Sequence, residues 1–294
     1  MSWILFSILS AFSYALLVVI EKYLITKLTN KPILLLIFMS FMGFAAGIII
    51  YILKGFSSLS FVYILLALFN GGVYILASWL FFEGLKLEEV SRIVPLLFFS
   101  PLFTALFSFI FLGEFFTPLQ YFGVLLLVIG AVLVSIKNFR INFGKYFWLL
   151  ITVAALVSIN YTITKYLLNF ADFWTVFSYG RIGEFLILMP FFYFYLNDFK
   201  SLLKTFKPVQ FALMFFHEAL NLVSILLVII ATSGGYATLV NALTSVEPFF
   251  VLLFTFFLSI FFPKIIREDI SKSTLGLKFA AIVLMFIGAF IITK

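Results

Sequence analysis

A chain of 294 residues that is 65% hydrophobic and 11% charged cannot hide its apolar surface in a soluble fold, where roughly 45–50% and about 25% are usual. The absence of cysteine excludes disulfides and thiolate metal or redox sites, and a single histidine leaves little for zinc. The net charge of +7 lies in short connections between apolar runs, where membrane topology explains it better than a nucleic-acid groove does.

Residues 1–20, 32–53, 55–82, 93–113, 115–136 and 146–164 carry no Asp, Glu, Lys or Arg. A hydrocarbon core about 30 Å thick takes about 20 helical residues to cross, and backbone polar groups there must pair within their own helix. The expected fold is an all-α polytopic membrane protein with ten transmembrane helices. Cutting at turn signals puts them near 3–24, 33–53, 61–82, 91–112, 118–136, 146–168, 174–196, 208–231, 237–262 and 274–292. The first run lacks a basic leader and an A-x-A cleavage site and continues into Val18–Ile20, so it reads as a retained span. Lys54-Gly55, Gly113-Glu114 through Thr117-Pro118, and Gly234-Gly235 mark turns. The longest polar connections fall at 137–145, 197–207 and 263–274.

The 137–145 connection is the midpoint, and the two sides resemble each other. Lys22-Tyr23-Leu24 recurs 143 residues later as Lys165-Tyr166-Leu167, and Ser100-Pro101 recurs 147 residues later as Glu247-Pro248. That second offset puts Asn70 on His217 and Tyr74 on Asn221, and Ile129-Gly130-Ala131 returns as Ile287-Gly288-Ala289. The reading is a five-helix repeat over 1–137, a connecting loop at 138–145 and a second five-helix repeat over 146–294. Five spans per copy give the copies opposite polarity, an inverted repeat with binding near the midplane between them. Fifteen of the 19 Lys and Arg fall in the connections after odd-numbered spans, which puts those connections in the cytoplasm and both termini outside.

These residues resemble the drug/metabolite transporter superfamily in its EamA-type branch. Arg92 through Pro101 to Gly113-Glu114 is similar to the family's fourth-helix pattern, Tyr14-Ala15 followed by Lys22 to the end of its first helix, and Glu247-Pro248 to a pair in its ninth. There are departures. Phe261-Phe262-Pro263-Lys264 stands where a second Gly-Glu is expected, and Val157-Ser158 replaces a second Trp-Gly. Tyr14 occupies the position of the membrane Glu of the small multidrug members, so their proton/drug exchange does not carry over. The resemblance implies cytoplasmic termini, against the charge count.

Ionisable groups at mid-bilayer cost about 2.5–3.5 kcal/mol each on insertion scales and face a cavity or a partner. Here they cluster in the second half: Arg181 and Glu184 in the seventh span, His217 and Glu218 in the eighth, Glu247 in the ninth. Arg181 and Glu184, three apart, share a face and can pair with each other; otherwise Arg181 would hold a carboxylate or phosphate as a planar fork. His217, Asn221 and Ser224 form one stripe, open to interhelical bonding, cavity lining or a proton relay. Glu184, Glu218 and Glu247 are the candidates for proton or ion coupling. Pro248 removes a backbone donor near Asn241 and Thr244, which makes Glu247-Pro248 either a binding point and hinge or a packing kink, with Ser100-Pro101 as its partner. Asn70, Tyr74 and Ser78 line the third span beside Gly71-Gly72, which permits close helix approach. Asn160 belongs to the polar sixth span with Ser158, Tyr161 and Thr162, and Tyr14 to the first. Lys165 is expected to snorkel to the interface, and Glu114 to serve the fold.

No nucleotide-binding loop G-x-x-x-x-G-K-[ST] occurs, and no cofactor or enzyme activity is expected. The expected function is a secondary transporter in the cell membrane, an exporter or exchanger of a small polar or amphipathic metabolite such as an amino acid. It would work by alternating access as a monomer or homodimer, with proton exchange as one way to drive it. A lipid-linked carrier flippase, or an antiporter of nucleotide- or phosphate-sugar type on the same fold, is the alternative.

Overall fold

The computed structural model describes residues 2–27, 29, 31–87, 97–135, 145–251, 253–254 and 272–293. These residues form eleven helices and no strand: α1 (Ser2–Lys27), α2 (Pro32–Lys54), α3 (Phe61–Leu87), α4 (Ser100–Leu112), α5 (Pro118–Ser135), α6 (Lys145–Leu167), α7 (Phe173–Phe194), α8 (Leu196–Thr205), α9 (Pro208–Gly234), α10 (Ala237–Thr244) and α11 (Lys272–Ile292). Four stretches are long and apolar enough to cross a membrane by length and composition: Pro32–Lys54, Phe61–Lys86, Phe147–Leu167 and Pro208–Gly234.

Local chemistry sets the helix ends. Pro32, Pro118 and Pro208 open α2, α5 and α9, where a missing N–H costs nothing. Gly55 and Gly113 follow α2 and α4 with φ of 71° and 65°, a backbone that a side chain resists. Asp172 caps α7 by accepting from the amides of Trp174 and Thr175.

The helices pack as α5 on α11, α1 on α9, α2 on α7, and α3 on both α6 and α7, with α4 against α6 and α10, and α10 against α1. Large apolar side chains such as Leu53, Phe61, Phe111 and Phe194 face outward, as lipid permits. Lipid tails are as apolar as leucine, so helix association rests on close packing and interhelical polar bonds. Glycine supplies the first. A Cβ on Gly71 would lie 2.0 Å from the Gly180 carbonyl oxygen, and one on Gly183 2.1 Å from that of Leu68. The expected close approach beside Gly71-Gly72 is therefore the crossing of α3 and α7.

Two elements differ from expectation. The connection expected at 197–207 is largely the ten-residue helix α8, whose Lys200 and Lys204 face solvent while Leu202 is buried. A hydropathy cut removes such an amphipathic segment because its mean is polar. The span expected at 237–262 is interrupted: a turn at Ser245-Val246 separates α10 from a helical segment beginning at Glu247. Arg92, the loop at 138–144 and Phe261 to Lys264 lie outside the described residues, as does the side chain of Lys22.

Candidate functional site

Between the helices lies a cavity of about 230 Å³. Its wall takes Tyr14 and Glu21 from α1, Asn70 and Tyr74 from α3, Ser100 from α4, and Asn160, Tyr161 and Thr164 from α6. Arg181 of α7, Asn221 of α9, Asn241 and Thr244 of α10, and Ser245 and Glu247 beyond it close the opposite side. Glu184, Glu218 and His217 do not reach this wall, and Pro101 and Pro248 lie buried behind it.

Arg181 is the centre of the first polar group. Its terminal nitrogen lies 2.5 Å from Glu184 Oε1 one turn on, and its guanidinium lies over the rings of Tyr74 and Phe177, at 4.8 and 5.6 Å. The contact with Glu184 is one of charge rather than alignment, since neither Arg181 Nε nor Glu184 Oε1 makes a hydrogen bond. Gly43 and Gly47 of α2 leave room for the arginine stem, 3.3 and 3.7 Å from where their Cβ atoms would be. Tyr74 donates to Asn221 Oδ1 at 3.1 Å, and Asn221 donates to Glu218 at 3.2 Å. Glu218 thus communicates with the cavity through Asn221 and Tyr74.

His217 faces away from the cavity. Its Nε2 lies 3.3 Å from Glu21 Oε1, in a side recess of about 10 Å³ shared with Met39 and Phe82. The expected stripe of His217, Asn221 and Ser224 is divided. Asn221 alone lines the cavity, and the Ser224 carbonyl accepts from Ser10 at 3.2 Å. Glu21 is the functional candidate that sequence reasoning missed. Its signal was present, since it is the first acid after the opening apolar run and adjoins Lys22.

Amides and hydroxyls complete the wall. Asn70 donates to Thr164 Oγ1 at 2.9 Å, and Asn160 donates to Asn70 Oδ1 at 3.0 Å. Ser100 donates to Asn241 Oδ1 at 3.2 Å while Asn241 donates to Thr104 at 2.7 Å. Tyr161 and Thr244 share a hydrogen bond of 3.1 Å. Among the described residues Glu247 has no hydrogen-bond or ion-pair partner. No group of three His, Cys, Asp or Glu among them could hold a metal ion.

Lys165 has protein partners at the end of α9. It is half-buried and donates to the carbonyls of Thr232 and Gly235 at 3.0 and 2.7 Å, satisfying the end of α9. Glu114 accepts from the Ala237 amide at 3.2 Å, at the start of α10. Burial pushes the Glu114 carboxyl above its ordinary value against the opposing pull of that amide and of Lys165. A cation at a helix C-terminus and an anion at the next N-terminus suit both dipoles.

Residues 1–136 match the EamA-like transporter family. A solved crystal structure superimposes over 100% of this chain and 96% of its own with a TM-score of 0.72 at 16% identity, which shows a shared fold. No curated protein matches the chain.

Proposed function

Because residues 1–136 match the EamA-like transporter family, we propose that the chain is a member of it and a secondary transporter in the cell membrane that passes a small polar or amphipathic metabolite through the central cavity by alternating access. The observation that carries this is the cavity itself, walled by polar side chains of both halves inside an all-helical protein with an apolar exterior. Export or exchange, with an amino acid as one such metabolite, is the proposed mode.

The layout proposed for it is ten spans in two inverted repeats, 1–137 and 146–294, joined by 138–145. Several features support it. The family match ends at residue 136, one short of the proposed boundary. The helix breaks at Phe98-Phe99 and Ser245-Val246 are 147 residues apart, as are the bonds Leu102 N to Phe99 O and Phe249 N to Val246 O. Asn70 on Thr164 joins α3 to α6, and its counterpart, His217 on Glu21, joins α9 to α1. Tyr74 and Asn221, equivalent under the same offset, bond to each other. Packing pairs exchange likewise: α1 with α9 corresponds to α6 with α3, and α4 with α6 to α10 with α1.

In this reading Pro101 and Pro248, each just after a helix break, are hinges. Of the three coupling candidates, Glu247 reaches the cavity directly and Glu218 through Asn221. Proteoliposomes loaded with amino acids, sugars and organic anions test the proposal by counterflow. Glu247→Gln, Glu218→Gln and Arg181→Ala together should reduce flux at least tenfold; undiminished flux removes these residues from the mechanism. Movement of a lipid-linked substrate in place of soluble ones would favour the flippase reading.

A further inference from the structure

We propose that the cavity takes an organic cation, a small amine with an apolar or aromatic body, and holds its nitrogen against the carboxylate of Glu247. The inference rests on the transporter reading and narrows it to a class of substrate.

Arg181, the cation of the wall, is 4% exposed, paired with Glu184 at 2.5 Å and covered by the rings of Tyr74 and Phe177. Its charge is met by Glu184 inside the protein, so the wall does not present it as an unpaired cation. Two acids share the wall. Glu21 has His217 at 3.3 Å, whereas Glu247 has no hydrogen-bond or ion-pair partner among the described residues. The acid left without a partner on the wall is therefore Glu247. A cation within about 4–6 Å favours the ionised carboxyl, so ligand and site reinforce each other.

Hydrogen-bond donors point the same way. An anionic ligand needs donors, and the amide donors of the wall are engaged within the protein. Asn70 donates to Thr164, Asn160 to Asn70, Asn221 to Glu218 and Asn241 to Thr104. Tyr74 donates to Asn221. The rest of the lining is aromatic and aliphatic, with Tyr14, Tyr161 and Phe98 among its rings. Ring faces attract cations through their quadrupole, and the aliphatic side chains suit an apolar body.

The test uses four compounds sharing one aromatic body: 2-phenylethylamine, its uncharged N-acetyl derivative, phenylalanine and 3-phenylpropionate. Thermal stabilisation of the purified full-length protein is measured against concentration. The amine should stabilise at concentrations at least tenfold lower than the other three. Glu247→Gln should abolish that preference, and Glu247→Asp should retain it. Equal or tighter binding of the acetyl derivative, the zwitterion or the carboxylate overturns the proposal, and the acetyl comparison needs no variant to fold. Stabilisation by none of the four overturns it too, as does an unchanged amine response in a folded Glu247→Gln protein. Counterflow of labelled 2-phenylethylamine and phenylalanine in proteoliposomes separates this inference from the transport reading. Amine binding without flux strikes transport and leaves the cation site, whereas flux of phenylalanine alone leaves transport and strikes the cation site.

Discussion

Gly71 on α3 and Glu218 on α9 stand 147 residues apart, at equivalent positions of the proposed repeat, and do opposite things. At Gly71 the missing side chain lets α3 press its backbone on α7. At Glu218 the side chain is buried, bonded to Asn221, and α9 meets α2 only slightly. One copy of the helix spends this position on packing and the other on a carboxyl group near the cavity. Where lipid provides no hydrophobic drive between helices, a position cannot easily do both.

The largest effect should come from erasing the glycine side of this contrast. Gly71→Leu forces atoms into the Gly180 carbonyl and the Glu184 amide, which no rotamer relieves. We expect loss of the folded protein, a destabilisation above about 4 kcal/mol, read as the collapse of the monodisperse peak in detergent. Survival of the fold would mean that α3 and α7 can separate, and that the contrast with α9 is not one of packing. A smaller effect is expected from Asn221→Leu, which leaves Tyr74 and Glu218 without their shared partner at a cost of about 1–3 kcal/mol. Combining it with Tyr74→Phe should destabilise by less than the two separate effects added together, because both remove one bond. Smaller again, Asn70→Leu removes neutral bonds to Thr164 and Asn160, whereas His217→Leu leaves Glu21 without its partner. The comparison predicts that His217→Leu changes flux as well as melting temperature, and that Asn70→Leu changes mainly melting temperature.

Much of the fold was legible because bilayer thickness converts directly into run length. The spans expected at 33–53 and 146–168 became α2 and α6 within one residue at each end, and Pro32, Pro118 and Pro208 announced their helix starts. The side of a helix that faces the cavity was less legible. His217 and Asn221 are one turn apart on α9, yet only Asn221 lines the main cavity, since helix rotation is set by packing that no single stretch of sequence encodes. The partners of Glu21 and Lys165 were hidden for a related reason. The folded chain supplies His217 to one and the carbonyls of Thr232 and Gly235 to the other, both from the distant helix α9 and its end. Helix α8 escaped because ten amphipathic residues have no apolar run to detect.

The smallest effects separate two acids outside the spans. Burial raises the Asp172 carboxyl, but donation from Ser57, from the Thr175 hydroxyl at 2.9 Å and from the amides of Thr175 and Trp174 outweighs it and holds the group below its ordinary 3.8. A depressed carboxyl contributes stability that is present above its unfolded value and lost as pH falls through the folded one. Glu114 is raised, chiefly by burial, above its ordinary 4.5, so its ionised form costs stability at neutral pH and the cost fades as pH falls toward that ordinary value. Melting curves should therefore respond in opposite directions in two windows. Between neutral pH and 4.5 the wild-type protein should gain relative to Glu114→Gln, and below 3.8 it should lose relative to Asp172→Asn. Asp172 is exposed, and water screens it, so its window should give the smaller shift. Parallel curves for wild type and Asp172→Asn below 3.8 would mean that its bonds cap α7 without favouring the charged form.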